Sequence, residues 1–523
     1  MTVLTAPGVY VDERPPSVRT IVGVSTSVTA FVGDTERGPV GVAVSVFSMP
    51  EFVRNFGSTL GEKRPLANCV SHYFANGGSE AVVVRVERPK AVVGKATVGG
   101  LELEAIGPGK WSSGTLKSGK PWLQAEIVDL TTVGTHTRFT LELQLKQNDL
   151  FDNPKAKPER ATVLQEESLA GLLAGAGDST SPDFWVNRLK SASLLAKAPK
   201  KTKPSATLSA EKKDFTGGTD GDELKTSAKL LVPDPADNTG IYSLDQRRFP
   251  RFNLLCIPDL DALSHAAEAG RVVAYCRKEA AIYLMDSHAE LASALVNATL
   301  IDADAHAAMY HPRLVVNEAS LSGAATPSKF PPCGAVAGVI ARTDATRGVW
   351  KAPAGLDAGI VGISGFAEQV NDDWSGKLNQ LGINALRTFD AGGPVIWGAR
   401  TARGSDALAS EHKYLPVRRT TDYIASSLKV GTMWAVFEPN DPDLWASLRA
   451  SVVAFMRTCF RAGAFQQSMS KAERDSFFVT CDDTNNPQED IDRGIVNVTV
   501  GFAPLKPAEF VVITITQISR LEA

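Results

Sequence analysis

The sequence predicts an α/β core domain interrupted by an inserted β-rich domain and followed by an α+β C-terminal domain, with an extended arm at each end. Three observations carry this reading. Apolar stretches that end in aspartate and run into helices, at 252–259 and 281–286, are the mark of parallel strands covered on both faces. Between about 91 and 238 the composition shifts toward glycine, lysine and proline, in stretches such as 154–158 and 197–204, as an insertion with surface loops would. Beyond 393 strands and helices mix around one long amphipathic helix. With 523 residues the chain must divide into several domains, because single cores stop growing near roughly 250 to 300 residues.

Taken in order, residues 7–13 form a short extended piece. Pro15 and Pro16 follow; they donate no ladder hydrogen bonds and hold the chain extended, separating an arm, 1–20, from the body. A buried strand is expected at 28–33, helices at 51–56 and 66–74, and an apolar strand at 81–86, the second helix ending at Asn76-Gly77-Gly78. In the insertion, 93–238, Leu141-Glu142-Leu143-Gln144-Leu145 alternates with period two, as a half-buried strand does. The α/β pattern resumes with the strand at 252–259, a helix near 266–277 and a strand at 281–286, so 21–92 and 239–392 make one discontinuous domain. The domain 393–505 should hold strands at 395–397 and 433–437, a helix across 421–428, and a long helix capped by Asp441 with Pro442 in its first turn, ending near Gly463. Trp445, Leu448, Val452, Phe455, Met456 and Cys459 recur along it at helical spacing and form one buried face. Strands follow at 477–480, 496–500 and 510–518, the last within a C-terminal arm, 506–523.

Against 55 basic residues stand 58 acidic ones, a net charge of −3 that gives no global attraction to nucleic acid or an anionic membrane. Cys69, Cys256, Cys276, Cys333, Cys459 and Cys481 lie far apart with no C-x-x-C pair and read as buried thiols of a reducing cytoplasm. The N-terminus carries acids and prolines where a secretory signal would be basic and then apolar. No run approaches the roughly 18 apolar residues of a membrane span, so a soluble protein without membrane insertion is expected.

Sites of chemistry are sought and rejected. Gly107-Pro108-Gly109-Lys110-Trp111 lacks the upstream glycine and the following hydroxyl of a phosphate loop. Gly362-Ile363-Ser364-Gly365-Phe366 has its second glycine too early for a nucleophile elbow. Ser426-Ser427-Leu428-Lys429 matches S-x-x-K on an amphipathic helix, where its hydroxyls are expected to face solvent. Asp302, Asp304 and His306 would place two ligands on one helical face but lack a further ligand, and His311 stands beside a proline. The acidic stretch 481–492 has Pro487 where a calcium loop needs glycine, and reads as a turn with capping carboxylates. No catalytic residue, cofactor or metal is therefore expected.

The stretches Pro7-Gly8-Val9-Tyr10-Val11-Asp12-Glu13, Thr29-Ala30-Phe31-Val32-Gly33 with Arg37-Gly38-Pro39, and Phe74-Ala75-Asn76-Gly77-Gly78 resemble the contractile tail sheath family. So do the segment 342–355, RTDATRGVWKAPAG, and Trp397-Gly398-Ala399-Arg400-Thr401, Val417-Arg418-Arg419, Phe437-Glu438-Pro439-Asn440 and Pro507-Ala508-Glu509-Phe510. The family comprises sheaths of contractile phages, R-type pyocins and extracellular injection systems. The resemblance implies a helical homopolymer of stacked rings around an inner tube protein, with baseplate and terminal cap proteins as further partners. Such a sleeve contracts to drive the tube into a target. The particle would be assembled in the bacterial cytoplasm and released by lysis. Two alternatives are a non-contractile tail or baseplate component, and a subtilisin-like hydrolase, since one family domain has been likened to subtilisin.

Residues 510–518 are β-branched, free of proline and almost uncharged, so as an open edge they need a partner strand. Similar sheaths exchange terminal strands between subunits, which implies that Val9, Tyr10 and Val11 and Val511, Ile513 and Ile515 are lent to neighbours, with Pro15, Pro16, Pro504 and Pro507 as hinges. The alternative is that both ends pair within their own chain. Arg449, Arg457 and Arg461 share one face of the long helix and are candidates for gripping the tube, against a merely solvated basic face. Arg342, Asp344, Arg347 and Trp350 are expected to order loops by ion pairing.

Overall fold

A computed structural model describes residues 19–57, 64–113, 122–133, 136–148, 161–174, 179–200, 208–224, 227–249, 251–258, 260, 265–287, 304–319, 325–390, 392–467 and 473–510. The chain has mixed α/β content and several sheets, divided between two compact units, 26–346 with 353–415, and 1–25 with 347–352 and 416–523.

In the larger unit an eight-stranded sheet runs in the order Gly393–Ile396, Ile383–Phe389, Ala307–His311, Ile282–Asp286, Leu254–Cys256, Thr29–Gly33, Ala81–Arg85, Ala43–Val46. The six inner strands are parallel, and each edge strand is antiparallel to its neighbour. Alternation sorts the side chains. Phe31, Val83, Leu254, Leu284 and Tyr310 face one core with helices Met49–Phe56, Pro65–Ala75 and Cys333–Arg347. Val32, Val84, Leu255, Met285 and Met309 face the other, with helices Ala266–Glu279 and Asp372–Gln380. Both faces are covered, which is why the strands read as unbroken apolar runs.

Helix Cys333–Arg347 is buried from Cys333 to Ala341 and lies against helix Pro65–Ala75 through two glycines. A Cβ on Gly334 would stand 2.1 Å from the Cys69 carbonyl oxygen, and one on Gly338 2.5 Å from that of Tyr73. Such an approach excludes any side chain.

Residues from Lys95 to Asp214 form two further sheets around a core of their own that includes Trp185, Phe139 and Leu143. Leu141, Leu143 and Leu145 point inward while Glu142 and Gln144 do not. Leu224, Ala228, Leu231 and Val232, placed in the insertion by composition, pack instead into the α/β core beside Val84 and Leu255. A buried knot ties the β-rich segment to the sheet. Asp34 accepts from Arg64 Nε at 2.8 Å and Arg88 Nε at 2.6 Å, while Arg85 donates to the carbonyls of Gly38 and Pro108. Burial lowers the Arg85 guanidinium to about 10.

The smaller unit contains most of helix Leu415–Gly431, helix Pro442–Arg461 and the hairpin Phe477–Thr480 with Thr499–Phe502. Asp441 caps the long helix, its carboxylate accepting from Leu444 N, and the predicted face from Trp445 to Cys459 is buried.

Three expectations need correction. Residues 393–396 pair antiparallel with Ile383–Phe389 and so complete the core sheet, and the smaller unit takes up the chain only at Pro416. The strand expected at 433–437 is a 3-10 turn, Met433–Ala435, that lays Trp434 and Ala435 on Leu444 and Trp445, with Phe437 beyond it at φ +71°. The strand expected at 496–500 begins only at Thr499, because Asn497 N donates to Asn486 Oδ1 at 2.6 Å instead of to a ladder.

Candidate assembly site

The residues expected to be exchanged as strands, Val9, Tyr10, Val11, Val511, Ile513 and Ile515, and the expected hinges Pro15 and Pro16, lie outside the described residues. The segments that lead to them do not. On the N-terminal side Ile21 is buried beside helix Leu415–Gly431, where it leaves no room for a Cβ on Gly431. Arg19 N donates to Ser451 Oγ and Val24 N to Ser427 Oγ, each at 3.1 Å, and the Arg19 guanidinium stacks 4.3 Å above the Trp434 ring. Ser426 and Ser427 are thus buried rather than solvent-facing, and Ser427 serves as an acceptor for this segment. On the C-terminal side Ala503 N donates to Ser476 O, Gln466 N donates to Ala503 O at 2.9 Å, and Pro504 bridges to Phe465. Pro504 is held in this pairing, and Pro507 follows it outside any strand.

Both roots belong to the smaller unit, and the C-terminal one continues directly from the second strand of the hairpin. Among the described residues this sheet has two strands, so each has an outer edge without a ladder partner. Two strands are marginal alone. Phe477 anchors them on helix Pro442–Arg461 beside Phe460 and Phe465, whereas Phe478 is 57% exposed on the other face.

Of the three arginines on the long helix, Arg457 donates to Glu473 Oε1 at 2.7 Å and Arg449 lies 3.5 Å from Asp482, so two of them are engaged within the chain. Arg461 is exposed at the last position of the helix.

Motif residues prove to be internal braces. Arg342 donates to the carbonyls of Asn76 and Gly359, a different role from the ion pairing expected of it. Arg400 is fully buried and donates through one nitrogen to Asn379 O at 2.7 Å, Gly404 O at 3.2 Å and Asp406 at 3.1 Å. Asn384 accepts from Arg400 N and donates to Met309 O and Arg400 O, so these two side chains brace the turn beside its backbone bonds.

At the C-terminal ends of the parallel strands, sequence reasoning missed a cluster. Ser287 Oγ lies 2.7 Å from His311 Nδ1, and His311 Nε2 lies 3.4 Å from Glu368. The residue types are those of a hydrolytic triad, yet Ser287 and His311 are 3% and 0% exposed, and a nucleophile must be reachable. The cluster closes the strand ends instead. Its residues are far apart in sequence, so spacing carried no signal. Beside it Asp286 accepts from Cys333 N at 2.9 Å, capping helix Cys333–Arg347, and burial lifts its carboxyl to about 6. Asp304 and His306 are not helical: Asp304 accepts from the His306 amide and ring and pairs with Arg277. Although burial works against it, these partners hold the Asp304 carboxyl below its ordinary range. Ser364 Oγ accepts from Asn317 N at 3.2 Å, and in the acidic turn Asp482 accepts from Thr484 N. Among the described residues no group of three metal-ligating side chains forms, and no helix is long and apolar enough to cross a membrane.

A family model described as the phage tail sheath protein central domain matches residues 243–402, and one described as the phage tail sheath C-terminal domain matches 409–518, together more than half of the 523 residues. The tail sheath protein of Vibrio phage KVP40 is 29% identical over 182 residues, 35% of this chain and 25% of that protein. That of Enterobacteria phage T4 is 25% identical over 177 residues, 34% of this chain and 25% of its own length. The match thus spans about a quarter of these relatives. The contracted helical sheath of the anti-feeding prophage superposes with a TM-score of 0.59 at 20% identity, covering 98% of this chain and 100% of that one. The contracted sheath complex of the extracellular injection system PVC gives 0.57 at 20% identity, covering 99% of each chain. At such identities these likenesses show the fold.

Proposed function

Since the chain belongs to the contractile tail sheath family, we propose that it is the sheath subunit of a contractile phage-tail-like injection system. It polymerises as a helical sleeve around an inner tube, attached to a baseplate and closed by a cap. The observation that carries the reading is the two-stranded sheet of the smaller unit, from which the C-terminal segment continues through Ala503 and Pro504. An exposed two-stranded edge accepts an added strand through backbone ladders, with side-chain alternation setting its register. The arms 1–20 and 506–523 supply those strands to neighbouring copies, and Val9, Tyr10, Val11, Val511, Ile513 and Ile515 pair on them. Ladders on extended arms survive rotation of the bodies they join, which a flat rigid interface does not. The work of contraction is stored in the extended polymer as a metastable arrangement and released as bodies repack. The particle is assembled in the bacterial cytoplasm.

Deleting residues 1–13 is expected to leave a folded, soluble subunit that forms no rods in electron micrographs. Rods of normal length from that chain would refute strand exchange.

A further inference from the structure

Phe437 opens the family-like motif Phe437-Glu438-Pro439-Asn440, and nothing in the fold uses its ring: the side chain is 103% exposed and its backbone sits at φ +71°. A residue other than glycine at such an angle is strained, and strain of this kind gathers at functional sites. Met433 and Val436 stand beside it, 68% and 62% exposed. Scattered apolar side chains on a surface need no explanation, but a contiguous group on one short loop does.

The loop is braced. Asn440 donates to Ile495 O at 3.1 Å and accepts from Trp445 Nε1 at 2.8 Å, Val436 N and Glu438 N bond back into the 3-10 turn, and Trp434 packs with Trp445. An aromatic side chain held out on a rigid loop is a binding anchor whose ordering cost has already been met.

Charge selects the occupant. Around the knob stand Glu438, Asp441 and Asp443, all exposed. The short helix Gln488–Asp492, whose Ile491 packs, as Trp434 and Ala435 do, against the cluster of Leu444, Trp445, Leu448 and Cys481, adds exposed Glu489 and Asp492. Two exposed basic residues stand there as well, Arg493 at the C-cap of that short helix and Arg19, whose guanidinium stacks on Trp434. The far end of helix Pro442–Arg461 carries the opposite sign, with Arg457 and Arg461 both exposed. Arg457 shares its charge with Glu473, while among the described residues no carboxylate pairs with Arg461. Twenty residues separate the two ends, about 30 Å along the axis. One body with an acidic apolar knob at one end and a basic patch at the other is complementary to its own copy, head to tail. Such heterologous contacts generate rings where the rotation closes and helical polymers where it does not.

We propose that the 433–443 knob of one copy docks on the Arg457–Arg461 end of the long helix of a second copy of this chain. The inference rests on the reading of the chain as a polymer-forming subunit but is independent of strand exchange.

The test replaces Phe437 in the full-length chain with the photo-crosslinker benzoylphenylalanine, illuminates the assembled particle and identifies the joined peptides by mass spectrometry. The expected product is a dimer of this chain joining position 437 to the 457–463 region. A cross-link to another polypeptide such as the tube protein, a cross-link to a different region of this chain, or monomer alone would overturn the proposal. A second measurement guards against failed assembly. In the purified chain, Arg461→Glu and Glu438→Arg should each raise the critical concentration for polymerisation at least about tenfold, and the double variant should restore it. Loss without restoration also overturns the docking. If the chain with residues 1–13 deleted forms normal rods while the 437 to 457–463 cross-link persists, strand exchange falls and the docking stands.

Discussion

Asp286→Asn separates the two roles of a buried carboxylate. Asp286 ends the strand Ile282–Asp286 inside the α/β unit and accepts from Cys333 N at 2.9 Å, so it caps a buried helix from a neighbouring element. Capping and the helix dipole favour a negative charge there. Loss of hydration disfavours it more, and the carboxyl is lifted from 3.8 to about 6. Below about pH 4 the folded and unfolded chains both hold this proton. Between about pH 4 and pH 6 the folded chain keeps it while the unfolded chain has released it, so this group's contribution to stability falls as pH rises and is level above. The fall amounts to about 3 kcal/mol. Asparagine keeps the accepting oxygen, stays neutral throughout and removes the slope. Urea unfolding of the full chain between pH 4 and pH 8 should show the variant near or slightly below wild type at pH 4. It should be more stable at pH 7.5, by up to about 3 kcal/mol. A variant that loses equal stability at both pH values, or that keeps the wild-type slope across the window, would refute burial as the dominant influence on Asp286.

Gly334→Ala drives a Cβ to 2.1 Å from the Cys69 carbonyl oxygen and 2.6 Å from the Cys69 Cα. Both are backbone, so the helices must part, and thermal unfolding should report a loss of about 1 to 3 kcal/mol. Phe455→Ala empties a site lined by Tyr423 and Met456 in the smaller unit; a loss of about 3 to 5 kcal/mol is expected in denaturant unfolding, with the α/β unit's own transition unmoved. Arg400→Lys cannot reproduce the contacts to Asn379, Gly404 and Asp406 from a fully buried position. It should cost about 3 kcal/mol or more, read as increased proteolysis of the 398–406 turn.

How much of this was legible depends on where each signal is stored. The parallel strands around Ala30, Val83, Leu255 and Leu284 were readable because burial on both faces leaves no polar position to break the run. The long helix was readable because its cap, its first-turn proline and its apolar face agree. Met433–Phe437 was misread because an apolar run without period two or 3.6 does not distinguish a buried strand from an exposed loop. Ser427 looked solvent-facing because its partner, Val24 N, comes from more than four hundred positions away. The Ser287–His311–Glu368 cluster was invisible for the same reason.

The candidate site sits at the far end of this scale. A core residue is specified by the chain that contains it, and its neighbours leave a periodic trace in the sequence. An open strand edge such as that of Thr499–Phe502, or an outward ring such as that of Phe437, violates the rules of a free-standing domain. Within one chain those violations look like errors of patterning. They become consistent when several copies are considered together, since an unpaired strand edge and an outward aromatic each remove a cost only upon assembly. On this argument the least protein-like features of the smaller unit should be those whose alteration affects the polymer while leaving the monomer's fold unchanged.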